Sequence, residues 1–151
     1  MPTPTPSLTG RALRLLGARE HSRTELERKL GPFEEQAGQL AQVLDALAAK
    51  GFINESRVLE SVLHRRAPRL GASRIKQELQ SKGLAPEAVA DAMQQLRATE
   101  LERAQEVWRK KFGAPAQDAP ERAKHMRFLA GRGFGGDTIR KVVAQADEDA
   151  V

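Results

Sequence analysis

The sequence predicts an all-α protein of three tandem three-helix repeats forming an elongated, curved body. Three observations carry this. Alanine and leucine abound while β-branched residues are few, a composition that suits helices and not sheets. Apolar residues recur at i, i+3, i+4 and i+7, cleanest in Leu40, Val43, Leu44, Leu47 and Ala48. A short helix followed by glycine and an apolar residue returns at Leu30, Leu79 and Leu129, a period of about 50 residues of the kind that marks repeat architecture.

The elements follow in order. Residues 1–7 are Pro/Thr-rich and read as a disordered lead-in, without the charged-then-apolar layout of a signal peptide. The first repeat, 8–53, opens with Ala12, Leu13, Leu15 and Leu16, continues through Thr24 to Leu30, and ends on the Leu40 stripe. The second, 54–98, carries Val58, Leu59, Val62 and Leu63, then Arg74 to Leu79, then Val89, Met93 and Leu96. The third, 99–147, carries Leu101, Ala104, Val107 and Trp108, then Lys124 to Leu129, then Ile139, Val142, Val143 and Ala146; an acidic tail, 148–151, follows.

Local signals set the boundaries. Ser22-x-x-Glu25 and Thr99-x-x-Glu102 match the pattern in which two orphan helix donors are satisfied reciprocally. Pro86 suits a first helical position, and Asp137 an N-cap. Gly31, Gly83 and Gly133 suit the left-handed residue past a helix end, with Phe33, Leu84 and Phe134 covering that end. Phe112 to Pro120 is the least regular interior stretch. Trp108, Phe52, Phe128 and Phe134 are read as core. A repeat of this size buries little core alone, so neighbours must share apolar surface.

Composition also excludes. With no cysteine there is no disulfide or thiolate chemistry, which fits a reducing cytoplasm. No apolar run reaches the roughly 20 residues of a membrane span. Aromatics are too scarce for a base-stacking platform. His21, His64 and His125 lie in three different repeats without metal-ligand spacing, and no nucleophile elbow or phosphate-cradling glycine loop occurs. A non-enzyme without cofactor or metal is expected.

The net charge of +5 is unevenly placed. Arg57, Arg65, Arg66, Arg69, Arg74, Lys76 and Lys82 share their stretch with only Glu60 and Glu78. A second basic stretch runs from Arg109 to Lys141 with Arg122 and Arg140 in it, and supplies Arg109, Lys110, Lys111, Lys124, Arg127 and Arg132 as candidates. Any one of these could be an ordinary solvated helix residue. Arg66, Arg69 and Arg74 surround the Pro68–Leu70–Gly71 turn, and a loop with several arginines suits phosphates or an acidic protein surface.

These residues resemble the RecX (OraA) regulators of the RecA recombinase. Ala12–Leu16 with Arg19–Leu26 and Lys29–Leu30 is similar to that family's opening pattern. Arg65–Gly71 with Ile75, Glu78–Leu79 and Lys82–Gly83 is similar to its centre, and Lys110–Phe112 with Phe128–Leu129 and Arg132–Phe134 to its close. Asn54–Leu59 departs from it, lacking the aromatic the family often carries there. The resemblance implies a monomer that binds the RecA–single-stranded-DNA filament and inhibits its growth, ATP hydrolysis, strand exchange and coprotease activity, so modulating recombination, DNA repair and the SOS response. DNA itself, single- or double-stranded, is a further expected partner. The seven basic residues of the first stretch and the six candidates of the second are its candidate contacts, and charge reversal at Arg65, Arg66 and Lys76 is expected to weaken inhibition. A helix-turn-helix DNA-binding regulator is the competing reading, since Ser22–Leu30 and Gly31 resemble half of that motif. An adaptor for another acidic surface is a third.

Overall fold

The computed structural model describes residues 5–150; of the expected lead-in, residues 1–4 lie outside them. Helices are α1 (Leu8–Ala18), α2 (Arg23–Leu30), α3 (Gln39–Ala49), α4 (Glu55–Arg66), α5 (Ala72–Ser81), α6 (Pro86–Lys111), α7 (Ala119–Gly131) and α8 (Gly136–Asp149), with a 3-10 turn over Gly31–Phe33. No strand occurs among the described residues. Three groups of three helices are present, but the third helix of the second group and the first of the third are one unbroken 26-residue α6.

That continuity corrects the expected cap at Thr99. Its side chain does not terminate a helix; its hydroxyl donates back to the Leu96 carbonyl at 3.4 Å, as serine and threonine do inside helices. Nothing between Pro86 and Lys111 breaks the helix, because the stretch holds no glycine or further proline. Asp137 is likewise not the N-cap of α8. Gly135 is, and Asp137 sits in the first turn, where its charge favours the positive helix end.

The chain forms two compact units. Of the described residues, the first comprises those up to Ser61 with Ser81–Leu84, and the second Val62–Gln80 with those from Ala85 onward.

In the first unit, Leu8, Ala12, Leu26, Leu30, Leu40, Leu44, Leu47 and Ile53 form one core, drawn from the same faces of α1, α2 and α3 that the periodicity marks. Ser7 caps α1, accepting from Gly10 N at 3.0 Å, so ordered structure begins inside the expected lead-in. Ser22 and Glu25 form the reciprocal cap: Ser22 Oγ accepts from Glu25 N at 3.2 Å and Glu25 Oε1 from Ser22 N at 3.1 Å. The end of α2 departs from expectation. Gly31 is right-handed and the chain tightens into the 3-10 turn, with Pro32 at its start, where the missing N–H has no cost. Phe33 is therefore 47% exposed under the Arg11 guanidinium, 3.8 Å from its ring centre, and Phe52 is exposed too, contrary to its expected place in the core.

In the second unit, α6, α7 and α8 pack on one another around Ala104, Val107, Leu129, Phe134, Ile139 and Val142, with Trp108, Met126 and Phe128 at the edge. The end of α7 is a Schellman turn: Gly133 N donates to Ala130 O at 3.0 Å and Phe134 N to Leu129 O at 3.2 Å, with Gly133 at φ 94° and Phe134 buried. The N-terminus of α5 leans on that turn. Gly71 N donates to Arg132 O at 2.8 Å, Ser73 Oγ to Gly133 O at 2.8 Å, and Ala72 N to the Glu100 carboxylate at 3.1 Å. The acidic tail is helical through Asp149, and Asp147 pairs with Arg122 at 2.7 Å.

A candidate polyanion-binding groove

Six of the predicted basic residues line one open groove of about 880 Å³ in the second unit: Arg65, Arg66, Arg69, Lys110, Lys111 and Arg132. His64, Pro68, Val107 and Phe128 complete the lining, which holds no carboxylate. Three elements supply the cations. The end of α4 and the turn after it present Arg65, Arg66 and Arg69; the last turn of α6 presents Lys110 and Lys111; the end of α7 presents Arg132. All three are helix C-termini, where basic side chains are favoured by the negative end of the helix dipole. Convergence of such ends concentrates positive charge without a buried ion pair.

The walls are tuned by neighbours. Arg66 Nε donates to Glu78 at 2.9 Å, which holds that guanidinium to one side. Lys110 is 72% exposed, with Glu106 only at 3.9 Å. Lys111 and Arg132 lie over the Phe128 ring, at 5.4 and 5.0 Å from its centre, an attraction of cation for ring face. Phe128 itself meets Phe112 edge to face at 5.4 Å, Phe112 stacks on His125 at 3.7 Å, and Trp108 Nε1 donates to His125 Nδ1 at 3.1 Å. That ring stack joins the groove floor to the core. Burial pushes His125 below its ordinary pKa, partly opposed by Glu121.

The other seven candidates are elsewhere. Lys82 is buried against Glu25 at 3.0 Å, and Arg57 pairs with Glu20 at 2.8 Å and donates to the Gly51 carbonyl at 2.6 Å; both are occupied inside the first unit. Arg74 donates to the Gly131 carbonyl at 2.6 Å. Arg109 pairs with Glu106. Lys76 lies in a separate depression with Arg97 and Glu100. Lys124 and Arg127 are exposed on α7. Among the described residues no three His, Asp or Glu side chains converge as a metal site requires, and no helix is long and apolar enough to cross a membrane.

Sequence reading missed the groove's uncharged members. Phe128 packs against the edge of the core, as expected, but also lines the groove, and Pro68, Val107 and His64 carry no sequence signal that separates a groove wall from ordinary packing.

Two family models match this chain: "RecX, second three-helix domain" over residues 54–93, and "RecX, third three-helix domain" over residues 98–143. The chain belongs to the RecX family. A protein of Leptothrix cholodnii named regulatory protein RecX is 52% identical over 146 residues, covering 97% of this chain and 93% of that one. One of the same name from Herbaspirillum seropedicae is 47% identical over 99% of this chain and 98% of its own length. A crystal structure of RecX from Lactobacillus salivarius shares the fold, with a TM-score of 0.73 at 20% identity over 93% of this chain and 94% of that chain. A RecX-type regulatory role follows. The two matched domains meet in the groove: Arg65, Arg66 and Arg69 come from the second, and Lys110, Lys111 and Arg132 from the third.

Proposed function

We propose that this chain is a negative regulator of RecA that binds the RecA–single-stranded-DNA filament through the basic groove of its second unit. The observation that carries the reading is the gathering of six cations from three helix ends in a lining without a carboxylate, in a chain of a regulatory family. Like charges held together repel, and a polyanionic surface relieves that repulsion. The filament offers two such surfaces, acidic patches of the recombinase and the phosphates of the strand it carries. Occupation of that surface obstructs filament growth and strand exchange and holds subunits from the geometry in which they hydrolyse ATP and promote repressor cleavage. No covalent chemistry is needed. Recombination, DNA repair and the SOS response are then the processes modulated, and the cytoplasm is the compartment.

The test follows ATP hydrolysis by RecA on single-stranded DNA while the protein is added at substoichiometric and then equal ratios. Inhibition at low ratio that survives excess DNA supports the proposal. No inhibition, or inhibition abolished by excess DNA, overturns it and leaves simple nucleic-acid binding.

A further inference from the structure

Arg103 is the one arginine on α6 that is not exposed. It is half-buried, and among the described residues no acidic side chain pairs with it. Its donors go to oxygen atoms of other kinds instead. Nη1 donates to the carbonyls of Ala67 at 2.9 Å and Leu70 at 2.7 Å, Nη2 to the carbonyl of Leu96 at 3.0 Å, and Nε to the Thr99 hydroxyl at 3.1 Å. Burial lowers its pKa, with Glu100 opposing. The guanidinium is a rigid fork, so four such bonds fix two bodies in relation to each other in a way a flexible ammonium cannot.

The two bodies so joined are the walls of the groove. Ala67 and Leu70 belong to the turn between α4 and α5, the turn that carries Arg69 and follows Arg66. Leu96 and Thr99 belong to α6, which carries Lys110 and Lys111 two turns beyond Arg103. We propose that Arg103 is a positioning residue for the groove: its guanidinium holds the 67–70 turn on α6, so that Arg69 of the turn and the lysines of α6 line one groove at a fixed spacing. This rests on the reading of the groove as the contact surface, but the positioning itself is independent of what the groove binds. Arg132, on the third wall, is held by a separate device, the backbone contact of Gly71 with Arg132 and Gly133.

The absence of native cysteine permits a direct test. Spin labels on Arg69→Cys and Lys110→Cys report the spacing of the two walls by dipolar distance measurement on the full chain. Labels on Lys124→Cys and Lys141→Cys, on α7 and α8, are the control pair. With Arg103 in place the first pair gives a narrow distance distribution. Arg103→Gln, which retains one amide donor group, broadens it at least about twofold, as local release of a turn does, while the control pair and the helix content stay unchanged. Arg103→Lys keeps the charge on one nitrogen and recovers only part of the narrowing. In the cysteine-free chain, Arg103→Gln raises the concentration for half-inhibition of the RecA filament at least about tenfold, equivalent to 1.4 kcal/mol. An unchanged first pair overturns the proposal, and so does simultaneous broadening of both pairs, which marks general loosening. Should the unsubstituted chain fail to inhibit RecA at all, the functional reading falls, and the distance measurement still decides the role of Arg103.

Discussion

Gly71 offers the sharpest test of how the second unit is held together. A Cβ at this position would sit 2.3 Å from both the carbon and the oxygen of the Gly133 carbonyl and 2.4 Å from Phe134 N. Ordinary contact needs more than a further 1 Å. All three atoms are backbone, within the Schellman turn of α7, so no side chain can swing aside. Gly71 does not have a positive φ, so the cost of Gly71→Ala is steric and not conformational. The two segments must part, which strains the bond from Gly71 N to Arg132 O at 2.8 Å and that from Ser73 Oγ to Gly133 O at 2.8 Å. Overpacking costs about 1–3 kcal/mol. Each weakened hydrogen bond adds about 1 kcal/mol. A total of about 3–5 kcal/mol corresponds to a fall of roughly 6–20 °C in Tm for a chain of this size. Thermal unfolding followed by far-ultraviolet circular dichroism measures it. The matched control is Gly17→Ala in α1, where a Cβ meets nothing within 4 Å; removal of a helix-interior glycine there raises stability by up to about 1 kcal/mol. If Gly71→Ala melts with the parent, the close approach of the two turns is not what fixes them.

Three further outcomes follow from the geometry. Lys82→Met removes one of the two cations on buried Glu25 and lowers stability by about 2 kcal/mol; in the filament assay it inhibits as well as the parent once both are folded, and loss of inhibition at full foldedness would return Lys82 to the contact surface. Burial raises the Glu25 pKa, but Arg19 at 2.6 Å, the Ser22 amide and Lys82 outweigh it and bring the value to about 2 from 4.5. A lowered acid pKa gives stability that is present above the unfolded value and lost as pH falls from 4.5 toward 2, of order 3 kcal/mol; Glu25→Gln should flatten Tm against pH across that window, and an equally steep fall in the variant counts against the network. The only tryptophan, Trp108, donates to neutral His125; burial lowers the imidazole pKa, so acidification below the ordinary histidine range should protonate it, break that bond and shift Trp108 emission; an identical shift in His125→Gln would contradict the pairing.

Short-range features were legible in the sequence because short-range physics decides them. The Leu40 stripe became the inner face of α3, the Ser22–Glu25 box formed, and Gly83 and Gly133 took positive φ with buried apolar residues after them. Thr99 misled because a Thr-x-x-Glu pattern is compatible with a helix interior as well as a helix start, and only the uninterrupted flanking sequence distinguishes them. Phe33 and Phe52 misled because both lie in connections just past a helix end, where the path of the chain and not the helical period decides what a side chain meets. The groove was half legible. Clustering of charge near the Pro68 turn was visible, but its convergence with Lys110, Lys111 and Arg132 depends on the packing of α6 and α7. Lys82 and Arg57 looked equivalent to Arg69 until their partners, Glu25 and Glu20 from far upstream, were brought beside them. Arg103 gave no signal, since its partners are backbone carbonyls, which every sequence contains.

The groove is also where the account can be struck most directly. Charge reversal belongs not at Arg66, which Glu78 already engages, nor at Lys76, which lies outside the groove, but at Arg69, Lys110 and Lys111 together. The measurement is the concentration for half-inhibition of RecA ATPase on single-stranded DNA, for the parent and for the Arg69→Glu, Lys110→Glu, Lys111→Glu chain with unchanged helix content. The account predicts a rise of at least about a hundredfold, or 2.8 kcal/mol across three exposed contacts. Equal inhibition by the two chains would show that the groove is not the surface that meets the filament.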